Sequence, residues 1–433
     1  MIQPIRRFIR LEHIRHFLTL FSSSVLGQGL ALALAPVLSR LFTPGDFGLS
    51  ALYLSILSVL SVFSTAKYEQ AIMLPKNNED AIHIFRLVIA LAALVSLISL
   101  LPIIFLNAGI SRLLGNPDIA AWLYILPLSL MVHGLLQAST FYANRSKAFP
   151  QMARTTLIHQ VSANGIKAGT GWLQTSFNGL ITGQVAGQLL AMTYIFRHAI
   201  RQISKQRIRF SVKSIRQQAS VYIQYPRFNM LMSLTNNLSG SLPIFLFTWG
   251  FSPEAAGLYA FGYTFVFRPL GLFSQSTQQV LSQKMIDNYH KGVAIYPTLK
   301  KMTFRFALAG LLPLLIMAIW APGIFSFVFS ETYEASGRYL QILSPWLYMV
   351  FLASPLTFLH ELFFRQKTAM IIDLVYLILR FFALMAGIWM QDLIMALILF
   401  SGVGTLVIGY KLWWFLMLAK RASGLKEQST EIS

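Results

Sequence analysis

The chain contains no cysteine, so disulfides and thiolate metal sites are excluded. Acids are scarce too: 15 Asp and Glu stand against 35 Lys and Arg, and charged residues make up only 12% of the chain. Soluble domains carry about 25% charged residues. With 55% hydrophobic residues and a mean hydropathy of +0.60, this is the composition of an integral membrane protein. A Walker-type phosphate loop, a metal-ligand cluster and a nucleophile elbow are all missing, so no cofactor and no ATP hydrolysis are expected. A cleavable signal peptide is missing as well. The segment MIQPIRRFIRLEHIRH (1–16) is basic and amphipathic, but the apolar run after it is too long for a signal core. It reads as an interfacial helix on the cytoplasmic face.

What the sequence does have is a series of apolar runs of about 20 residues, the length that crosses a bilayer as a helix. Twelve are predicted, near 17–41, 47–66, 84–107, 119–142, 152–173, 177–197, 219–248, 254–281, 302–329, 339–360, 368–390 and 393–418. The fold expected is an all-α membrane protein with two six-helix bundles, 17–197 and 219–418. A basic linker (198–218) joins them, and a cytoplasmic tail (419–433) follows. With the N-terminus inside, most Lys and Arg fall in inner loops and only Arg40, Arg112 and Arg338 in outer ones. That bias places both termini in the cytoplasm. The net charge of +20 therefore serves topology and anionic lipid headgroups, and nucleic acid is not an expected partner.

One motif recurs. Phe42-Thr43-Pro44, Gly48-Leu49 and Ala51 reappear 209 residues later as Phe251-Ser252-Pro253, Gly257-Leu258 and Ala260. Ser or Thr caps a helix, Pro suits the first turn, and Asp46 or Glu254 then meets the positive end of the helix dipole. Recurrence in both halves points to an internal duplication.

Charges inside predicted spans cost about 3 kcal/mol each on insertion scales, so each needs a reason. Four are basic, Lys167, Arg227, Arg268 and Arg380, and Asp373 is the acid that accompanies them. Asp373, Tyr376 and Arg380 share one stripe of the eleventh span, where Arg380 either faces a cavity or makes an interhelical ion pair. Lys167 shares a stripe of the fifth span with Gln160 and Asn164, and either faces the cavity or snorkels outward. Arg268 precedes Pro269, which frees a backbone carbonyl; the guanidinium can satisfy that group or a ligand. Arg227 reaches either ligand or cytoplasmic headgroups. Ser22, Ser23, Ser24 and Gln28 in the first span, with Asn236 and Asn237 in the seventh, line the same space or glue helices together. Lys67 and Glu69 read as a solvated inner corner or a substrate entrance, and His159 as a packed polar side chain. Fixed positive charge in a polar cleft suits an anionic substrate, because guanidinium matches phosphate in a bidentate fork.

Residues 38–81 (LSRLFTPGDFGLSALYLSILSVLSVFSTAKYEQAIMLPKNNEDA) and 225–280 (YPRFNMLMSLTNNLSGSLPIFLFTWGFSPEAAGLYAFGYTFVFRPLGLFSQSTQQV) resemble the Wzx-type polysaccharide-biosynthesis flippases. These belong to the multidrug/oligosaccharidyl-lipid/polysaccharide (MOP) exporter superfamily. The resemblance implies two bundles in a V, with helices 1, 2, 7 and 8 bordering a central cleft. It also implies a multi-pass protein of the bacterial inner membrane that moves undecaprenyl-diphosphate-linked oligosaccharides (O-antigen, capsule or exopolysaccharide precursors) to the periplasmic leaflet. Membrane lipids, a proton or sodium counter-ion, and the polymerase and chain-length proteins of a polysaccharide pathway are the partners it implies. The family carries no universal signature for the cations. Substrate binding is therefore expected from the residue argument at Arg268, Arg380, Lys167, Arg227, Gln28, Asn236 and Asn237, and ion coupling at Asp373. Two other readings compete. A multidrug-type cation antiporter would need more intramembrane carboxylates. A polysaccharide polymerase or ligase would present catalytic residues on a large outer loop, and here the outer loops are short. A lipid II flippase generally carries two further helices.

Overall fold

The computed structural model describes residues 22–174, 177–291 and 293–422, apart from the side chains of Arg268, Gln275, Gln279, Val280 and His290. The basic segment 1–16 and the end of the C-terminal tail lie outside the described residues. Every regular element described is helical: α1 (Ile2–Leu41), α2 (Pro44–Thr65), α3 (Asn78–Leu113), α4 (Ile119–Leu123), α5 (Leu126–Arg145), α6 (Phe149–Trp172), α7 (Gly179–Lys205) and α8 (Val212–Val221). Then follow α9 (Met230–Gly250), α10 (Pro253–His290), α11 (Tyr296–Val328), α12 (Glu334–Ala353), α13 (Phe358–Leu362), α14 (Gln366–Trp389) and α15 (Leu393–Glu431). Helical backbone occupies each apolar stretch read from the sequence. Among the described residues, eight helical segments are long and apolar enough to cross a membrane. The protein is a multi-pass membrane protein; twelve spans in two bundles belong to the proposal below.

Two compact units divide the chain, Met1–Gly257 and Leu258–Ser433. In the first, α6 packs on α1 and α7, α3 on α5, and α2 on α9. Tyr68, Ile72, Phe85, Val88, Tyr142 and Ala199 form a core cluster between the start of α3 and the C-terminal ends of α5 and α7. Gly183 and Gly187 let α7 approach α6: a Cβ on Gly187 would sit 2.7 Å from that of Ala163. In the second unit α12 packs on α11 and α15, and α14 on α15, around Leu281, Met285, Leu359 and Phe415.

The repeated motif does what its residues imply. Thr43 and Asp46 make a reciprocal capping box on α2, with Thr43 N donating to Asp46 Oδ2 at 2.9 Å and Asp46 N to Thr43 Oγ1 at 3.2 Å. Ser252 Oγ likewise accepts from Ala255 N at 3.1 Å at the start of α10. The two copies also meet. A Cβ on Gly48 would lie 1.9 Å from the Pro253 carbonyl oxygen, and one on Gly257 would lie 1.8 Å from the Pro44 oxygen. This contact is reciprocal, so each copy's glycine receives the other copy's first-turn carbonyl. Glycine is required because only hydrogen fits in that gap.

The linker is not slack. Arg86 on α3 donates to the carbonyls of Ile208 and Arg209, each at 2.9 Å, and its guanidinium lies 5.7 Å from the centre of the Phe210 ring. Gln218 on α8 donates to Asp80 at 2.7 Å, and the Tyr68 hydroxyl donates to the Ala219 carbonyl at 2.9 Å.

Candidate functional site

Arg380 on α14 is 5% exposed. Its guanidinium carbon lies 4.3 Å from the ring centre of Phe400 (α15), 4.9 Å from Tyr376 and 5.3 Å from Trp346 (α12). Tyr263 stacks on Trp346 at 5.9 Å. An arginine can sit among rings because its flat, weakly hydrated cation is attracted to ring faces, at about 2 kcal/mol or more when desolvated. The stripe predicted with Tyr376 is real, but it faces this aromatic cage. Asp373, two turns before Arg380, instead pairs with Lys411 on α15, Nζ to Oδ1 at 2.5 Å. The lysine side chain is 12% exposed and the carboxylate 34%. Lys411 escaped the sequence reading because it stands toward the C-terminal end of the last predicted span (393–418), where the expected topology alone accounts for a lysine.

Lys167 on α6 is half-buried. Its stem lies against Gly183, its Nζ donates to Gln184 Oε1 at 3.4 Å, and Gln184 Nε2 lies 3.4 Å from His159 Nε2. His159 is thus a packed polar side chain in a small network. Asn164 is buried and donates back to the Gln160 carbonyl at 2.8 Å. Gln28 on α1 is partly buried, and its Oε1 is sealed from solvent without a hydrogen bond among the described residues.

Arg227 is exposed on a wide π-turn, Tyr225–Asn229, that leads into α9. Pro226 at its start lacks an N–H, so the regular ladder cannot begin there, and such turns recur at functional sites. Asn229 on the same turn donates to Gln70 Oε1 at 2.9 Å. The adjacent asparagines separate: Asn237 donates to the Ser58 carbonyl of α2 at 2.7 Å, while Asn236 is exposed. Asn237 is therefore helix glue and Asn236 is open. Arg268 lies on α10 before Pro269, and its side chain is outside the described residues.

Glu69 is not solvated. It is 3% exposed, 3.7 Å from Lys67, on a 3-10 turn (Tyr68–Met73) that packs on α3 and α5. Two successive left-handed residues, Ala66 (φ 47°) and Lys67 (φ 63°), turn it inward. Each costs about 1–2 kcal/mol without glycine, and no glycine or asparagine advertises the turn in the sequence. Elsewhere, an apolar cavity of about 480 Å³ lies among α10, α11 and α12, lined by Pro269, Phe273, Gly310, Pro313, Leu347 and Phe351.

These features describe a multi-pass membrane protein with cations held on its helices, and solved structures share the fold. "Lipid II flippase MurJ, inward closed conformation" matches with a TM-score of 0.69 at 16% identity, over 94% of this chain and 90% of that one. An outward-facing MATE-family multidrug resistance transporter of the MOP superfamily matches at 0.62 and 11% identity, over 94% and 96%. An inward-facing MATE transporter matches at 0.56 and 12%, over 96% of each chain. No curated protein matches in sequence. Residues 37–287 match the family model described as "Polysaccharide biosynthesis protein". The chain belongs to that polysaccharide biosynthesis family.

Proposed function

We propose that this protein flips undecaprenyl-diphosphate-linked oligosaccharides from the cytoplasmic to the periplasmic leaflet of a bacterial inner membrane, as precursors of an O-antigen, capsule or exopolysaccharide. The observation that carries this reading is the excess of cations over acids within the helices of a chain whose family makes polysaccharides. The diphosphate would meet Arg227, Lys167 and Arg268, with Asn236 and Gln28 contributing hydrogen bonds. Arg380 would act from within its cage, reaching substrate only when the rings part. Asn237 would hold α9 to α2. Asp373 would couple transport to a proton or sodium ion. Twelve spans in two duplicated bundles, both termini cytoplasmic, would alternate access between the two sides. The apolar cavity among α10, α11 and α12 is of a chemistry that suits part of a prenyl chain.

The antiporter reading needs a carboxylate open to a cationic ligand, and Asp373 already holds Lys411. The test is glycan accessibility in proteoliposomes loaded with undecaprenyl-diphosphate oligosaccharide. Protein-dependent exposure of glycan to an external sugar-modifying enzyme, beyond the outer-leaflet half, is expected. No change with a substrate pool that the enzyme demonstrably modifies would refute the proposal.

A further inference from the structure

A second cavity, polar where the first is apolar, lies in the first unit. Its volume is about 490 Å³, within the range of about 300–1,000 Å³ usual for ligand pockets. Asn78 at the start of α3, Tyr142 and Arg145 at the end of α5, and Gln202 and Gln206 at the end of α7 line it, with Lys147 on the turn into α6. Lys167, Arg227, Arg268 and Arg380 stand elsewhere, and none of the lining residues is acidic. Among the described residues no carboxylate pairs with Arg145 or Lys147. The acids next to Asn78 are engaged away from it: Asp80 accepts from Gln218 at 2.7 Å, and Glu79 lies 3.8 Å from His83.

The bonds around the cavity consume acceptors and leave donors. Arg145 Nη1 donates to the carbonyls of Ile72 and Met73, each at 3.3 Å. Its Nη2 donates to the Asn77 carbonyl at 3.2 Å and to Asn78 Oδ1 at 3.3 Å. These bonds fix the guanidinium without neutralising it. They also occupy the Asn78 oxygen, so that side chain has its amide N–H groups to offer. The Tyr142 oxygen accepts from Gln206 Nε2 at 3.1 Å, which leaves its O–H to donate. Lys147 is exposed and left-handed (φ 55°), held there by its own N–H on the Asn144 carbonyl at 3.0 Å. Glycine would take that backbone with less strain, and strain of this kind collects at ligand sites. The geometry points to a binding site for a phosphoryl anion, supplied by the headgroup of an anionic phospholipid or by free phosphate. Phosphate oxygens are strong acceptors for such charged and neutral donors, and basic pockets between membrane helices take phospholipid headgroups. The bound anion joins the start of α3, the turn between α5 and α6, and the end of α7. The site stands independently of the flippase reading.

Binding to the full chain, purified in a neutral detergent, tests this. Inorganic phosphate is titrated by phosphorus NMR line broadening. Phosphatidylglycerol, with zwitterionic phosphatidylcholine as its control, is titrated by native mass spectrometry. Saturable binding of phosphate, of phosphatidylglycerol or of both is expected; phosphate alone identifies a soluble ligand, and phosphatidylglycerol alone a lipid headgroup. K147Q removes one charge-assisted bond at an exposed position and should weaken binding about tenfold. Y142F, which deletes only the hydroxyl, should weaken it severalfold. The double variant K213Q/R216Q removes two exposed cations of α8 that do not line the cavity. It should bind within about twofold of wild type, because salt screens distant surface charge at about 0.15 M. Absence of saturable binding by wild type, phosphatidylcholine binding as tightly as phosphatidylglycerol, or K147Q and Y142F both binding as wild type would overturn the inference. A loss in K213Q/R216Q equal to that in K147Q would also overturn it, by showing diffuse surface attraction instead of a site.

Discussion

The reciprocal glycine contact makes a prediction whose sign depends on geometry. In an exposed helix interior, Gly→Ala stabilises by about 1 kcal/mol. At Gly48 the added methyl would lie 1.9 Å from the Pro253 oxygen and 2.8 Å from its carbonyl carbon. Carbon and oxygen come no closer than about 3.3 Å even in a Cα–H···O contact, so the helix starts must separate by about 1.4 Å. Nothing soft can yield, because both partners are backbone in first turns. Overpacking of this kind costs about 3 kcal/mol, which helix propensity offsets by about 1, leaving G48A about 2 kcal/mol less stable. G257A should behave alike, since its methyl would meet the Pro44 oxygen at 1.8 Å. Once one substitution has separated the helices, the second adds little, so the double variant should be far less destabilised than the sum. Thermal unfolding in detergent, followed by size-exclusion recovery, measures this. G29A and G165A serve as controls, because nothing lies within 4 Å of either added methyl; they should match or exceed wild type. If G48A melts with those controls, or if the two losses add, the argument for a required close approach is wrong.

Other perturbations separate structural from substrate-contacting cations. R380A should lower stability by about 3 kcal/mol, because it leaves a hole among buried rings, and R380K should not restore it, since a lysine cannot stack as a plane; melting of both variants decides this. R227A, at an exposed position, should move stability by no more than about 0.5 kcal/mol yet reduce glycan exposure in proteoliposomes; full transport would remove it from the site. N237A should cost about 0.6 kcal/mol, the average for a hydrogen bond between membrane helices, whereas N236A should cost nothing in the same melting assay. K411M strands Asp373 and should destabilise more than the double variant D373N/K411M, which removes both charges together.

Helices, caps and the duplicated motif were legible in the sequence because each depends on neighbours within a few residues. The 209-residue recurrence was legible as a duplicated helix start, but not that the two copies meet through each other's glycines. The partners of buried charges were not legible. Arg380 draws its rings from α12 and α15, and Asp373 draws Lys411 from 38 residues away, so spacing along one helix could not reveal either. Asn236 and Asn237 show the same limit at small scale: neighbours on a helix point about 100° apart, and composition cannot say which one meets α2. Glu69 looked solvated because polar residues surround it in sequence; the left-handed step at Ala66 and Lys67 turns it inward.

The moored linker has a practical consequence. Because Arg86, Asp80 and Tyr68 grip it at residues 208, 209, 218 and 219, a probe there would have little motion of its own. Lys213 and Arg216, on α8 between the anchor points, are natural attachment positions for a spin label or fluorophore. Such a label would act as a survey marker fixed to α3. Distances from it would record movement of the first unit during a transport cycle, undiluted by the wandering of a tether.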